Sequence, residues 1–347
     1  MLCYRCGSYN ADDVNACTVC GAPLSARRKQ PAVRAASRVD AGDGRKLEAG
    51  HLLDERYRVG DPVGQGTTGG VWRARDERTG TDVALKVMSP NLLQSEDDIE
   101  RFVTTVERAS ALRHPHTAPI VGHGRDGGHV YYAMPYLEGL TLRDIIDLRL
   151  ENGGSFRWSE ILPLLAQLTQ AIDAWGSFGY HGAIRAGSVL VLPDLLKLTA
   201  LPHLQGLLRV PFVVAQQRSG SIHYLAPEAR RDNQRLDVRA DVYSVAVLFT
   251  EMLTGIVIRA SDSEWRAAQS KLPKPLIAVL GAALAESPER RFAGGHALFE
   301  RVADAIGGST IENEELVPRP DREPRTGGST KVRSRRAFVE RRRVLPR

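Results

Sequence analysis

Tyr57-Arg-Val-Gly-Asp-Pro-Val-Gly64-Gln-Gly66-Thr-Thr-Gly69-Gly70-Val71-Trp72, followed by Val83-Ala84-Leu85-Lys86, is the stretch that decides the fold. A Gly-x-Gly-x-x-Gly run alone is weak evidence of a phosphate cradle. Here Gly64, Gly66 and Gly69 lie between two strand-like runs, and the turn ends in Val71. A Thr79-Gly80 turn signal then returns the chain at hairpin distance, placing Ala84 and Lys86 on a third strand. The reading is an antiparallel meander with a glycine-rich first turn and one lysine facing it.

Motifs continue outward in a fixed order. Residues 96–112 have the spacing of an amphipathic helix and end in Leu112-Arg113-His114-Pro115. Residues 130–136 read as a strand, and Glu138-Gly139-Leu140-Thr141-Leu142-Arg143-Asp144 opens another helix. Ala226-Pro227-Glu228 follows, then Asp241-Val242-Tyr243-Ser244 at the start of a long apolar helix, then Pro288-Glu289-Arg290-Arg291-Phe292. Together these resemble the serine/threonine protein kinases, most closely the bacterial ones, over residues 51–305. The resemblance implies an α+β bilobal kinase-like domain at 51–306, with an N-lobe at 51–136 and a C-lobe at 137–306. It also implies a nucleotide pocket from Gly64, Gly66, Gly69, Val71, Ala84 and Lys86. Met134 would stand at the gatekeeper place, and Pro135 and Leu137 would offer the hinge carbonyl and amide. Proline there is compatible, because it lacks only the N–H.

The catalytic motifs of that family are degraded. Phosphoryl transfer needs magnesium, ligands for it, and a carboxylate at the attacking hydroxyl. Aligned on His181, the segment His181-Gly182-Ala183-Ile184-Arg185-Ala186-Gly187-Ser188 puts Ala183 at the catalytic aspartate and Ser188 at the metal-binding asparagine. Gly182 replaces the arginine that docks an activation-loop phosphate. Ser219 and Ser221 lie where such phosphates occur, so no switch of the family's type is expected. Ala200-Leu201-Pro202 stands where Asp-Phe-Gly belongs. Thr105 takes the place of the helix glutamate that pairs the strand lysine, and Glu107 lies roughly 200° around the helix from it. Between Asp173 and Glu228 the sole acid is Asp194, at an expected hairpin turn, against Arg185, Lys197, Arg209 and Arg218. A cleft floor of these cations opposes magnesium. The resemblance assigns Asp241 to anchoring the catalytic-loop backbone, and Glu228 with Arg291 to a buried ion pair. Losing the general base alone costs roughly 10²–10⁴ in rate.

All four cysteines fall in the first twenty residues, as Cys3-x2-Cys6 and Cys17-x2-Cys20, with Gly7 and Gly21 directly after each pair. Two such pairs present four thiolates to one tetrahedral ion, and a segment of this size cannot bury its own core. Zn²⁺ would supply its folding energy, roughly 10–16 kcal/mol in small zinc modules. Residues 1–24 resemble a zinc ribbon with a closed, structural site; a redox pair is the alternative.

The 347 residues are 42% hydrophobic and carry a formal net charge of +6, too apolar for wholesale disorder. The charge is uneven: residues 25–46 carry +5 and residues 331–347 carry +7, which leaves −6 for everything else. Residues 25–50 read as a flexible basic linker and 307–347 as a disordered tail, basic at its end. Those arms are either solvated or drawn to an anionic surface, membrane or nucleic acid. Phe338 is the sole aromatic in the basic tail, and stacking platforms for single strands need more. Residues 242–258, the most apolar stretch, include Glu251 and read as a buried helix rather than a membrane span. The N-terminus lacks a signal-peptide core, and the expected location is cytoplasmic.

The functional expectation is a pseudokinase, a signalling adaptor with a protein partner such as an active kinase. Its pocket either binds ATP weakly without Mg²⁺ or is an empty inheritance. The enzyme alternative is an atypical ATP-dependent serine/threonine kinase. The third is a nucleic-acid binder built from the ribbon and basic tail.

Overall fold

The computed structural model describes residues 3, 10, 14–18, 21, 23–24, 47–151, 156, 158–192, 195–199, 203–231, 234–259 and 262–307. The expected linker before residue 47 and the tail from 308 lie outside them, as do Cys6, Cys20, Asp194 and Ala200-Leu201-Pro202.

The quoted stretch forms the expected meander: β2 (Tyr57–Gly66), β3 (Gly69–Asp76) and β4 (Thr81–Met88). With β1 (Leu52–Leu53), β5 (Gly122–Asp126) and β6 (His129–Pro135) they make one antiparallel sheet of order β1-β2-β3-β4-β6-β5. Alternation along the strands sorts its faces. Tyr57, Val59, Trp72, Ala74, Val83, Leu85, Val87, Tyr131 and Ala133 fill one core. Lys86 pairs with Tyr132 and Ala84 with Met134, so these four share the opposite face. The glycine-rich turn joins β2 to β3 with Gly66 paired to Gly69.

Helix α1 (Glu96–Ala109) is shorter than the expected 96–112. It starts at a capping box in which Ser95 and Asp98 exchange hydrogen bonds, and it stops once the i, i+3, i+4, i+7 face of Phe102, Thr105, Val106 and Ala109 is buried. The remainder is mostly helical. Helices α2 (Leu142–Glu151) and α3 (Trp158–Gly176) are tied by a double Arg149–Glu160 contact of 2.7 and 2.9 Å. A small sheet of β7 (Leu140–Thr141), β8 (Val189–Val191) and β9 (Leu196–Leu198) follows. Then come α4 (His203–Gly206) and α5 (Arg209–Arg218).

The apolar run becomes α6 (Val238–Thr254), beginning three residues before Asp241 because Asp237 caps it, and ending where Gly255 adopts φ 69°. It is the axis of the helical core, packed by α3, α8 (Lys274–Ala283) and α9 (Gly295–Gly307); α7 (Asp262–Gln269) precedes α8. Among the described residues no helix is long and apolar enough to cross a membrane.

Arg291 makes two bonds to Glu228, 2.6 and 2.8 Å, and donates to the carbonyls of Ala285, Arg239 and Glu286. Both side chains are buried, so removing one partner strands a charge. Arg291→Ala should destabilise the protein by about 3–5 kcal/mol, read as a lowered midpoint in urea. A loss under about 1 kcal/mol would show the pair to be dispensable.

Candidate functional site

The segment 181–188 is held from below by α6. Asp241, fully buried, accepts the amides of His181 at 2.7 Å and Gly182 at 2.6 Å. Burial pushes its carboxyl up to about 7 against those two bonds. His181 is buried edge-on to Trp175, and its Nδ1 accepts the amide of Ala183 at 3.2 Å. Gly182 adopts φ 76°, and a Cβ there would meet the Tyr180 ring at 2.9 Å. A side chain at this position would be strained and would have to displace that ring.

The loop therefore holds its shape while presenting no acid. Ala183 is buried and carries only a methyl group. Ser188 turns inward: its hydroxyl donates to the Arg185 carbonyl at 2.8 Å and accepts the Arg185 amide at 3.0 Å. The Ser188 carbonyl is taken by the amide and hydroxyl of Thr199, at 2.9 and 3.1 Å. Ser188 is thus a loop staple.

Lys86 is buried, and its ammonium donates to the Gly69 carbonyl at 2.6 Å rather than to a carboxylate. The reason lies on α1. Thr105 bonds back to the Arg101 carbonyl and is covered by α4, so tightly that a Cβ on Gly206 would fall 2.9 Å from its hydroxyl. Glu107 is exposed on the far side of the helix. Desolvation and the neighbouring Arg185 pull the Lys86 pKa down to about 7. Arg185 is mostly buried and also shifted down, but a guanidinium keeps its proton.

Of the four cations expected on the cleft floor, Arg185 alone meets Lys86. Lys197 reaches the Thr117 carbonyl at 3.5 Å, and Arg209 donates to the Arg231 carbonyl at 2.7 Å. The expectation of a broad cationic floor is corrected to a pair, Lys86 and Arg185. Arg185 belongs to the site beside Lys86. The sequence signal for it was its position four residues after His181, on the loop that Asp241 anchors.

The glycine-rich turn lies over this pair. A Cβ on Gly66 would stand 2.8 Å from Lys86 Nζ and 3.5 Å from Arg185 Nη2. Val71 sits opposite Lys86 across β3 and β4. At the hinge, Ala84 pairs with Met134 and Val83 with Pro135, and the Tyr136 amide bonds the Asp82 carbonyl at 3.1 Å. Leu137 follows, half buried. Gly64, Gly66, Gly69, Val71, Ala84, Lys86, Met134, Pro135 and Leu137 are thus contributed by the one sheet and the hinge beyond it.

At the N-terminus Cys3 and Cys17 are buried together, with Leu24 against them. Gly21, at φ 69°, returns its amide to the Cys17 carbonyl at 2.9 Å, and Asn10 Nδ2 approaches Cys17 Sγ at 3.5 Å. Among the described residues no three metal-ligating side chains come together.

A six-stranded antiparallel sheet with one helix, joined by a hinge to a helical body and carrying a lysine under a glycine-rich turn, is the architecture of a protein kinase domain. The protein kinase domain family model matches residues 57–290, and the chain belongs to that family. It is similar to the serine/threonine-protein kinase PknL of Mycobacterium tuberculosis, 28% identical over 312 residues, covering 86% of this chain and 77% of that one. A probable serine/threonine-protein kinase of Clostridium acetobutylicum is 23% identical over 284 residues, 77% of this chain but 42% of that protein. The crystal structure of the M. tuberculosis PknI kinase domain superposes with a TM-score of 0.61 over 75% of this chain and all of that one, at 22% identity, which is a likeness of fold.

Lys86 supplies a test in the ligand-free protein. Its pKa falls from 10.5 unfolded to about 7 folded, so protonation favours the unfolded state. The resulting instability is absent above pH 10.5 and grows as pH falls toward 7. Lys86→Met should therefore stabilise the ligand-free protein by a few kcal/mol at pH 7, with the gain shrinking as pH rises to 9. Urea midpoints at both pH values check this; destabilisation at pH 7 would mean the lysine is compensated.

Proposed function

We propose that this chain is a catalytically impaired kinase-like adaptor whose cleft takes the polyphosphate of ATP without magnesium and which acts through protein partners. The observation that carries the reading is the Lys86–Arg185 pair, two neighbouring cations within a site where Ala183 replaces the catalytic acid and Ser188 the metal-binding amide. A polyphosphate would neutralise both charges, whereas a divalent cation would have to bind beside them. Hinge backbone at Pro135 and Leu137 remains for the adenine. The relatives named above are kinases, and an atypical ATP-dependent serine/threonine kinase is the alternative reading.

Calorimetric titration of the full chain with ATP tests this. Affinity should be at least as high in EDTA as in Mg²⁺, and should be lost in Lys86→Met and in Arg185→Ala. It should also weaken as pH rises from 7 to 9, because free Lys86 sheds the proton that the phosphates would hold on it. Binding that requires Mg²⁺, or no binding at all, would overturn the metal-independent site.

We also propose that Cys3, Cys6, Cys17 and Cys20 hold one structural Zn²⁺. The burial of Cys3 with Cys17 and the glycine turn at Gly21 support it. Elemental analysis should give about one zinc per chain, lost in Cys3→Ser together with Cys17→Ser; a metal-free chain with four titratable thiols would contradict it.

A further inference from the structure

The glycine-rich turn lies directly on Lys86. A methyl group on Gly66 would lie 2.8 Å from Lys86 Nζ. The ammonium is engaged by the turn's own backbone: it donates to the Gly69 carbonyl and so fastens one end of the turn. Its tip is fastened elsewhere: Thr67 Oγ1 donates to Ser219 Oγ at 3.2 Å. Ser219 is the C-cap of α5. Its amide returns to the Ala215 carbonyl, and its hydroxyl donates onward to the Gln216 carbonyl at 3.0 Å. Helix α5 is anchored by buried Phe212 and Gln216 and packs on the Pro90–Leu92 turn that follows β4. Just before it, α4 is wedged on Thr105 and Phe102 of α1 through side-chain-free Gly206.

From these contacts we infer that the Gly66–Gly69 turn is a strap that closes the phosphate end of the cleft in the ligand-free protein, and that Thr67–Ser219 couples its release to the last turn of α5. The inference deepens the nucleotide reading above: an anion reaches Lys86 and Arg185 only after the turn lifts, and lifting it frees the end of α5. Val210 and Val214, one turn apart on that helix, are exposed and would move with it.

Hydrogen–deuterium exchange on the ligand-free full chain tests the strap apart from any ligand. Ser219→Ala and Thr67→Ala should each raise exchange in peptides covering 63–71 by about threefold or more, the scale of one lost hydrogen bond, and the double variant should add little. Ser221→Ala, two residues away, should leave 63–71 unchanged. Unaltered exchange in Ser219→Ala, or an equal rise in Ser221→Ala, would overturn the coupling. ATP in EDTA, added to the same samples, reports separately on the nucleotide reading. Accelerated 63–71 exchange in Ser219→Ala with no response to ATP keeps the strap and removes its ligand. An ATP response with no effect of Ser219→Ala does the reverse.

Discussion

Two backbone amides, those of His181 and Gly182, end on the buried carboxylate of Asp241, and the geometry of the cleft depends on that junction. It fixes the loop to the helix at the centre of the helical core. Gly182 takes the left-handed conformation there, His181 is held against Trp175, and Arg185 is delivered to Lys86. The acid that supports the loop is therefore kept, while the place in the loop where chemistry would occur holds Ala183. Glu228 and Arg291 belong to the same class of retained framework, a buried pair with every strong donor engaged. What the domain preserves is the means of holding a loop under a sheet.

Electrostatics explain why the retained and the lost residues divide as they do. A kinase cleft balances the lysine and the phosphates with carboxylates and metal. Removing the acids leaves Lys86 and Arg185 facing one another, and the ligand-free protein answers in two ways: Lys86 gives up its proton near pH 7, and its nitrogen turns to the Gly69 carbonyl. Each response lowers the cost of two adjacent cations, and each would be reversed by an anion. The same absence of a glutamate at position 105 lets α4 pack directly on α1, since a longer side chain could not lie beneath Gly206.

Much of this was legible in the sequence because the signals were local. The glycine turn, the return of Lys86 at hairpin distance and the motif order give the strands, the hinge and the family. Motif position assigns Asp241 and the Glu228–Arg291 pair, and the observed bonds match. The substitutions at Ala183, Gly182 and Thr105 were also visible as residue types. What was not legible came from tertiary packing. Four positive charges in one window looked like one surface, yet Lys197 and Arg209 find carbonyls elsewhere and only Arg185 turns to Lys86. That Gly206 covers Thr105 depends on contacts distant in the chain. Helix ends shifted where a cap decided them, as Asp237 does for α6. The second cysteine of each pair lies outside the described residues.

Whether the cleft binds without transferring phosphate is decided by phosphoryl transfer itself. The purified chain, incubated with γ-labelled ATP and Mg²⁺ or Mn²⁺ and a general protein substrate, should incorporate no label above Lys86→Met under the same conditions. Incorporation that disappears in Lys86→Met would overturn the adaptor reading and make this chain a kinase with a rearranged site.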